Sequence, residues 1–137
     1  MLVLGGTVFV GRAFVEAALL RGHEITLFHR GKNGADLFPQ SEHVLGDRDG
    51  ELSALGDRTF DVVVDTCGYV PRIVAQSSQA FAHRASRYLF VSTISVYPES
   101  SDRFDEYEPL LEPPAPEVEE ITGETYGGLK VACEHEI

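Results

Sequence analysis

The sequence predicts an α/β chain organised as a doubly wound parallel sheet. Three observations predict it. Short apolar runs alternate with segments of helical period along most of the chain. A glycine-rich turn, Gly5-Gly6-Thr7-Val8-Phe9-Val10-Gly11, separates the first apolar run from the first helical segment. Val62-Val63-Val64 and Tyr88-Leu89-Phe90-Val91 are apolar without alternation, the habit of parallel strands buried on both faces.

The elements follow in order. Residues 1–4 read as a buried strand that ends at the glycines. Val10, Phe14, Ala17 and Ala18 recur at helical spacing, so a helix runs to about Arg21 and stops at Gly22. Residues 24–28 form a second strand, with β-branched Ile25 and Thr26. Residues 31–40 read as a loop with room for one helical turn. Residues 43–45 give a short third strand and residues 51–55 a short helix. The fourth strand centres on residues 62–64. Pro71 suits the first turn of the next helix, whose inner face is Ile73, Ser77, Ala80 and Phe81. Residues 88–91 are the fifth strand, predicted to be as buried as the fourth. A proline- and acid-rich stretch, 98–120, breaks the rhythm, and a last helix starts near Gly123 and runs to the end. This alternation implies right-handed crossovers between parallel strands.

With 137 residues, 43% of them hydrophobic and 24% charged, the chain fits one domain, 1–137, with an ordinary core. No run approaches the roughly 18 apolar residues of a membrane span. No basic, apolar leader follows Met1. The reading is cytoplasmic, with no membrane partner. Cys67 and Cys133 have no metal or redox spacing. His23, His29, His43, His83 and His135 fall on separate elements without paired spacing, so surface or capping roles are expected and no metal. The formal net charge is −11, which opposes nucleic-acid binding. Residues 98–120 hold nine acidic residues and one basic one, Arg103. They read as a solvated loop rather than an acidic binding surface.

A glycine-rich turn entering a helix offers free backbone N–H groups and the positive end of the helix dipole to a pyrophosphate. In this strand–turn–helix context the turn reads as the phosphate loop of a Rossmann-type sheet, with Gly11 allowing close helix–strand packing. A plain tight turn is the alternative. Val8 stands where the fingerprint has its middle glycine, and a β-branched residue there predicts an ordinary negative φ. Beyond the second strand, Leu27-Phe28-His29-Arg30-Gly31-Lys32 offers Arg30 and Lys32 and no carboxylate, favouring NADP over NAD. Arg30 also reads as a solvated surface residue. In Gly46-Asp47-Arg48-Asp49, Asp47 stands where it could accept from an adenine amino group or cap a loop; Arg48 is assigned to the cofactor beside it.

Tyr126 and Lys130 stand four apart, on one side of a helix. A free phenol has a pKa of about 10 and is a poor base at neutral pH. A neighbouring ammonium favours the phenolate, which makes the pair a candidate general acid/base. Val91-Ser92-Thr93-Ile94-Ser95-Val96-Tyr97 follows the fifth strand, where a hydroxyl could meet a substrate carbonyl or simply end the strand.

These motifs, in this order and spacing, resemble the extended and atypical short-chain dehydrogenase/reductases, the group of NAD(P)-dependent epimerases and dehydratases that act on nucleotide sugars. The resemblance implies a catalytic Ser/Thr at Thr93, an acid/base at Tyr126 and a ribose-binding, pKa-tuning lysine at Lys130. Thr66, Cys67 and Gly68 would line the cofactor, with Gly5, Gly6, Thr7, Phe9, Val10 and Gly11 at its phosphates. The proline- and glutamate-rich run at 108–114 is similar to the family's loop before the active-site helix. A non-glycine at position 8 resembles an atypical branch that includes chloroplast stem-loop-binding proteins, some of which bind RNA.

Family members are longer, and the chain is expected to be their N-terminal part, with the substrate-binding part absent. The expected partner is a small-molecule substrate, with a homodimer covering the edge left by the fifth strand. An epimerase, dehydratase or reductase is the first reading. A non-catalytic NAD(P)-binding regulatory or nucleic-acid-associated module is the alternative.

Overall fold

The computed structural model describes residues 1–50, 52–99 and 105–137. Strands β1 (Leu2–Leu4), β2 (Thr26–His29), β3 (Glu42–Leu45), β4 (Phe60–Asp65) and β5 (Ala85–Phe90) form one sheet in the order β3-β2-β1-β4-β5, every neighbouring pair parallel. The helices are α1 (Phe9–Leu20), α2 (Pro71–Phe81) and α3 (Tyr126–Glu134), with 3-10 turns at Ser53–Leu55 and Ile94–Val96. From β1 the chain winds to β2 and β3 on one side, then crosses to β4 and β5 on the other. The winding reverses at β1, the place where open α/β sheets bind ligands.

The chain divides into two compact units, residues 1–67 with 77–91 and residues 68–76 with 92–137. The first unit holds the whole sheet and two apolar clusters. Leu2, Leu4, Phe28 and Val63 pack with Leu52, Leu55 and Phe81. Val3, Leu27 and Val64 pack with Val15 and Ala18 of α1. Successive strand residues thus serve opposite faces, and both faces are covered. That explains why β1 is apolar without alternation. Each such side chain contributes about 1.5–3 kcal/mol by leaving water. Gly22, at φ +79°, ends α1 in a conformation open to glycine.

In the second unit, Gly127, Leu129, Lys130, Val131 and Cys133 of α3 are buried. The Leu111 N–H donates to the Val96 carbonyl at 2.8 Å. The Arg72 guanidinium grips the Glu119 carboxylate at 2.8 and 3.1 Å.

Four expectations change. β5 is an edge strand, with Leu89 50% exposed, so an apolar run here does not mean burial on both faces. Residues 31–40 are the loop expected, without the helical turn they had room for. The short helix expected over 51–55 is a 3-10 turn at Ser53–Leu55. Glu51 and Arg103 lie outside the described residues. The inner face of α2 is Val74, Ser77 and Phe81, with Ile73 only half-buried. α3 begins at Tyr126, not near Gly123, because Thr122 and Thr125 build a hydrogen-bonded turn ahead of it. No helix among the described residues is long and apolar enough to cross a membrane.

Candidate functional site

The turn between β1 and α1 is shaped by two left-handed glycines, Gly5 at φ +91° and Gly6 at φ +90°. A Cβ on Gly6 would come within 2.8 Å of Leu27 and 3.1 Å of Val3 and Val15. Gly11 serves the packing of α1 instead. A Cβ there would sit 2.7 Å from Thr66 Oγ1 and 3.0 Å from the Gly6 Cα. Gly11 thus packs α1 closely against the residues that follow β1 and β4. Val8 has φ −136°, the ordinary negative value expected. The strain moves one residue on, to Phe9 at φ +45°, whose side chain is 86% exposed. Among the described residues no side chain caps α1, and the first turn of a helix has no internal acceptors for its N–H groups. Thr7 and Val10 complete the turn. The glycine cradle and the uncapped helix end together fit a pyrophosphate.

Behind the turn, Thr66 donates its hydroxyl to the Leu4 carbonyl at 2.9 Å. Cys67 lies against Gly5, its Sγ 3.3 Å from where a Gly5 Cβ would be. Burial pushes the Cys67 thiol up, with the Asp65 carboxylate adding to the rise and the Arg48 charge opposing it. Neither Cys67 nor Cys133 takes part in a disulfide. Arg30 is exposed beyond β2, and Asp47 is exposed beyond β3, its Oδ1 accepting from the Asp49 N–H at 3.1 Å.

Arg48 requires a correction. The residue is 9% exposed, and its guanidinium forks onto the fully buried Asp65 carboxylate at 2.6 and 2.8 Å. It also donates to Ser77 Oγ at 2.8 Å. Burial alone would lower its pKa, but the Asp65 carboxylate more than offsets this and raises it. A side chain so committed is a core group, not a cofactor ligand. The sequence missed its partner because Asp65 directly follows the apolar run Val62–Val64 at the end of β4.

The histidines also differ from expectation. His29 is buried, and its Nε2 lies 2.9 Å from His43 Nδ1. Leu27 pairs with His43 across β2 and β3, and residues two apart share a face, so His29 and His43 meet although 14 residues separate them. Among the described residues no three His, Cys, Asp or Glu side chains gather to hold a metal.

In the second unit, Lys130 is 2% exposed and its Nζ donates to the Gly68 carbonyl at 2.9 Å. The ammonium also stands 5.6 Å from the centre of the Tyr69 ring, within the range of a cation–π contact. The Tyr69 and Tyr126 rings are 6.3 Å apart. Tyr126, half-buried, opens α3, and Tyr69 joins it and Lys130 in one cluster that the sequence did not signal. Thr93 caps the turn Ile94–Val96, its Oγ1 accepting from the Ser95 N–H at 3.2 Å. Ser92 donates to the Glu134 carboxylate. Gly127 brings α3 against that turn: a Cβ on it would overlap the Ser95 carbonyl oxygen.

A cavity of about 990 Å³ opens at the amino ends of β1, β2, β4 and β5, among His23, Glu24, Asp61 and His83. It contains none of the expected site residues and lies at the opposite ends of the strands from the glycine turn.

The same fold recurs in solved structures. A short-chain dehydrogenase/reductase superfamily protein from Agrobacterium tumefaciens, with bound NAD, superposes with a TM-score of 0.73 at 24% identity, over 98% of this chain and 43% of its own. The UDP-glucuronic acid 4-epimerase of Bacillus cereus, in complex with NAD, gives 0.71 at 21% identity, over 98% and 50%. The dTDP-glucose 4,6-dehydratase of Bacillus anthracis, also with NAD, gives 0.66 at 19%, over 98% and 49%. The chain has the short-chain dehydrogenase/reductase fold. A curated relative, the chloroplast stem-loop binding protein of 41 kDa b from Arabidopsis thaliana, is 31% identical over 71% of this chain and 30% of its own length. The chain spans no more than half of any of these proteins. No protein-family model matches it.

Proposed function

We propose that this chain binds a nicotinamide dinucleotide and serves an NAD(P)-dependent epimerase, dehydratase or reductase. The observation that carries the reading is the glycine cradle at the uncapped start of α1, where Gly5, Gly6 and Gly11 leave no room for side chains. Backbone N–H groups of residues 7–11 would hold the pyrophosphate. Asp47 would accept from the adenine amino group. Arg30, with Lys32, would meet a 2′-phosphate, which favours NADP, although these three solved neighbours hold NAD. Thr66, Cys67 and Gly68 would line the bound group. When bound, a nicotinamide supplies or takes up a hydride.

Tyr126 would give or take the substrate proton at its phenolic oxygen, Thr93 would hydrogen-bond the same substrate oxygen, and Lys130 would bind the nicotinamide ribose. The buried ammonium of Lys130, held by the Gly68 carbonyl and the Tyr69 ring, supports that role. A nucleotide-sugar-like carbonyl or alcohol is the substrate class, supported by the epimerase and dehydratase activities for which the neighbours are named. Residues 1–137 would form the cofactor-binding part, located in the cytoplasm, and the β5 edge would pair with a second copy in a homodimer. A non-catalytic dinucleotide-binding module is a second reading. It is favoured by Val8 and by the engagement of Thr93 Oγ1 as a cap.

Fluorescence titration with NADPH and NADH tests the proposal. Binding of both with NADPH preferred is expected, and Arg30→Ala is expected to erase the preference. No binding of either below millimolar concentration would defeat both readings. With a substrate in hand, Tyr126→Phe is expected to abolish turnover and spare cofactor affinity; undiminished turnover would assign the acid/base role to another residue.

A further inference from the structure

Asp65 is the last residue of β4 and has no exposed surface. It accepts from both terminal nitrogens of Arg48, from the Tyr88 hydroxyl at 2.9 Å and from the Cys67 N–H at 3.1 Å. Arg48 in turn reaches Ser77 Oγ and lies 3.6 Å from Cys67 Sγ. Burial raises the Tyr88 phenol, and the Asp65 carboxylate adds to the rise, so the hydroxyl keeps its proton and remains a donor.

A buried ion pair contributes little net stability compared with apolar groups of the same shape, because desolvation offsets the attraction. Its geometric consequence is larger. The fork fixes Arg48 against Asp65 in distance and plane. Arg48 is the neighbour of Asp47 in the turn after β3, and Asp65 is the neighbour of Thr66. The Cys67 N–H bond to Asp65, two residues back, forms a local turn that shapes the same segment. That segment bears directly on the glycine turn, since Thr66 Oγ1 abuts both Gly5 and Gly11 and Cys67 abuts Gly5.

We infer that Arg48 and Asp65 are positioning residues, a buried fork that locks the turn bearing Asp47 and the Thr66–Cys67 segment into one register for the adenosine diphosphate portion of the ligand. The inference rests on the dinucleotide reading above and adds residues that touch no ligand. Groups that hold a binding constellation from behind are as necessary as those that touch the ligand, because small displacements weaken every contact.

ADP-ribose, measured by calorimetry, is the probe, with amide hydrogen exchange as the second readout. In the triple variant Arg48→Met, Asp65→Leu, Tyr88→Phe the buried polar set is replaced by apolar groups, so the melting temperature is expected to stay near that of the parent. ADP-ribose affinity is expected to fall about tenfold or more. Protection of the amides at 49–50 and at 67 is expected to fall together. Arg48→Lys keeps the charge but cannot fork onto Asp65 and reach Ser77 at once; it is expected to show the same joint loss in smaller degree, and it decides the matter if the triple variant does not fold. Parental affinity in a folded variant, or loss of protection in one segment alone, overturns the positioning role. No ADP-ribose binding by the parent chain overturns the dinucleotide reading itself, and this role with it.

Discussion

Three hydrogen bonds fix the tautomers of the histidine pair. The Gly31 N–H donates to His29 Nδ1 at 3.0 Å, so His29 carries its proton on Nε2 and donates to His43 Nδ1. His43 then carries its own on Nε2 and donates to the Phe38 carbonyl at 3.2 Å. Another proton on either Nδ1 would set donor against donor. Burial lowers the His29 pKa from its ordinary 6.5, and His43 lowers it further. The unfolded chain therefore binds more protons than the folded one between the two values. The stability from neutral His29 is present above pH 6.5 and lost as pH falls through the lowered folded value. The melting temperature is expected to drop between about pH 7 and 5, and His29→Leu is expected to flatten that drop. Glu42, held low by its hydrogen bond to Arg58, titrates below 4.5, outside this window. An unchanged slope in the variant would refute the assignment. The pair was illegible in the sequence because strand register, not spacing, brings the rings together. The negative φ of Val8 was legible because it follows from β-branching alone.

At the scale of elements, α3 contains two adjacent glycines, Gly127 and Gly128, in its first turn. Glycine ordinarily weakens a helix by about 1 kcal/mol relative to alanine, so alanine would be expected to stabilise. Here the packing reverses the sign. A Cβ on Gly127 overlaps the Ser95 carbonyl, which is rigid backbone, and one on Gly128 stands 2.9 Å from the Glu112 carbonyl. Gly127→Ala is expected to destabilise by about 3 kcal/mol, read from the midpoint of urea unfolding. Gly123→Ala, with nothing within 4 Å of its Cβ, serves as the near-neutral comparison. A stabilised Gly127→Ala would show that α3 does not pack as described. The order of strands and helices was legible because hydrophobic period reports it. The exposure of β5 was not, because an apolar run carries no record of which strands lie beside it. The start of α3 was displaced by side-chain bonds between Thr122 and Thr125 that compete with the helix.

At the scale of the whole molecule, net charge decides whether this chain can bind RNA; its Arabidopsis relative is named for binding a stem-loop. Affinity for a phosphate backbone comes from lysines and arginines that displace counterions. This chain has 11 such residues against 22 acidic ones. Much of its positive charge is already matched: Arg12 by Glu16, Arg48 by Asp65, Arg58 by Glu42 and Arg72 by Glu119. Arg84 donates to the backbone carbonyls of Gly56 and Arg58, and Lys130 is buried against Gly68. The acid-rich stretch 98–120 adds repulsion over a range of about 8 Å at physiological ionic strength. A single 2′-phosphate at Arg30 demands far less charge than a duplex does. The chain is therefore expected to bind NADPH while a stem-loop RNA binds no more tightly than about 0.1 mM at roughly 150 mM salt, the weak end of non-specific association. Fluorescence anisotropy of a labelled stem-loop across a salt series checks this. Micromolar binding that weakens linearly in a double-logarithmic salt plot would show that local charge, not the molecular total, governs this surface.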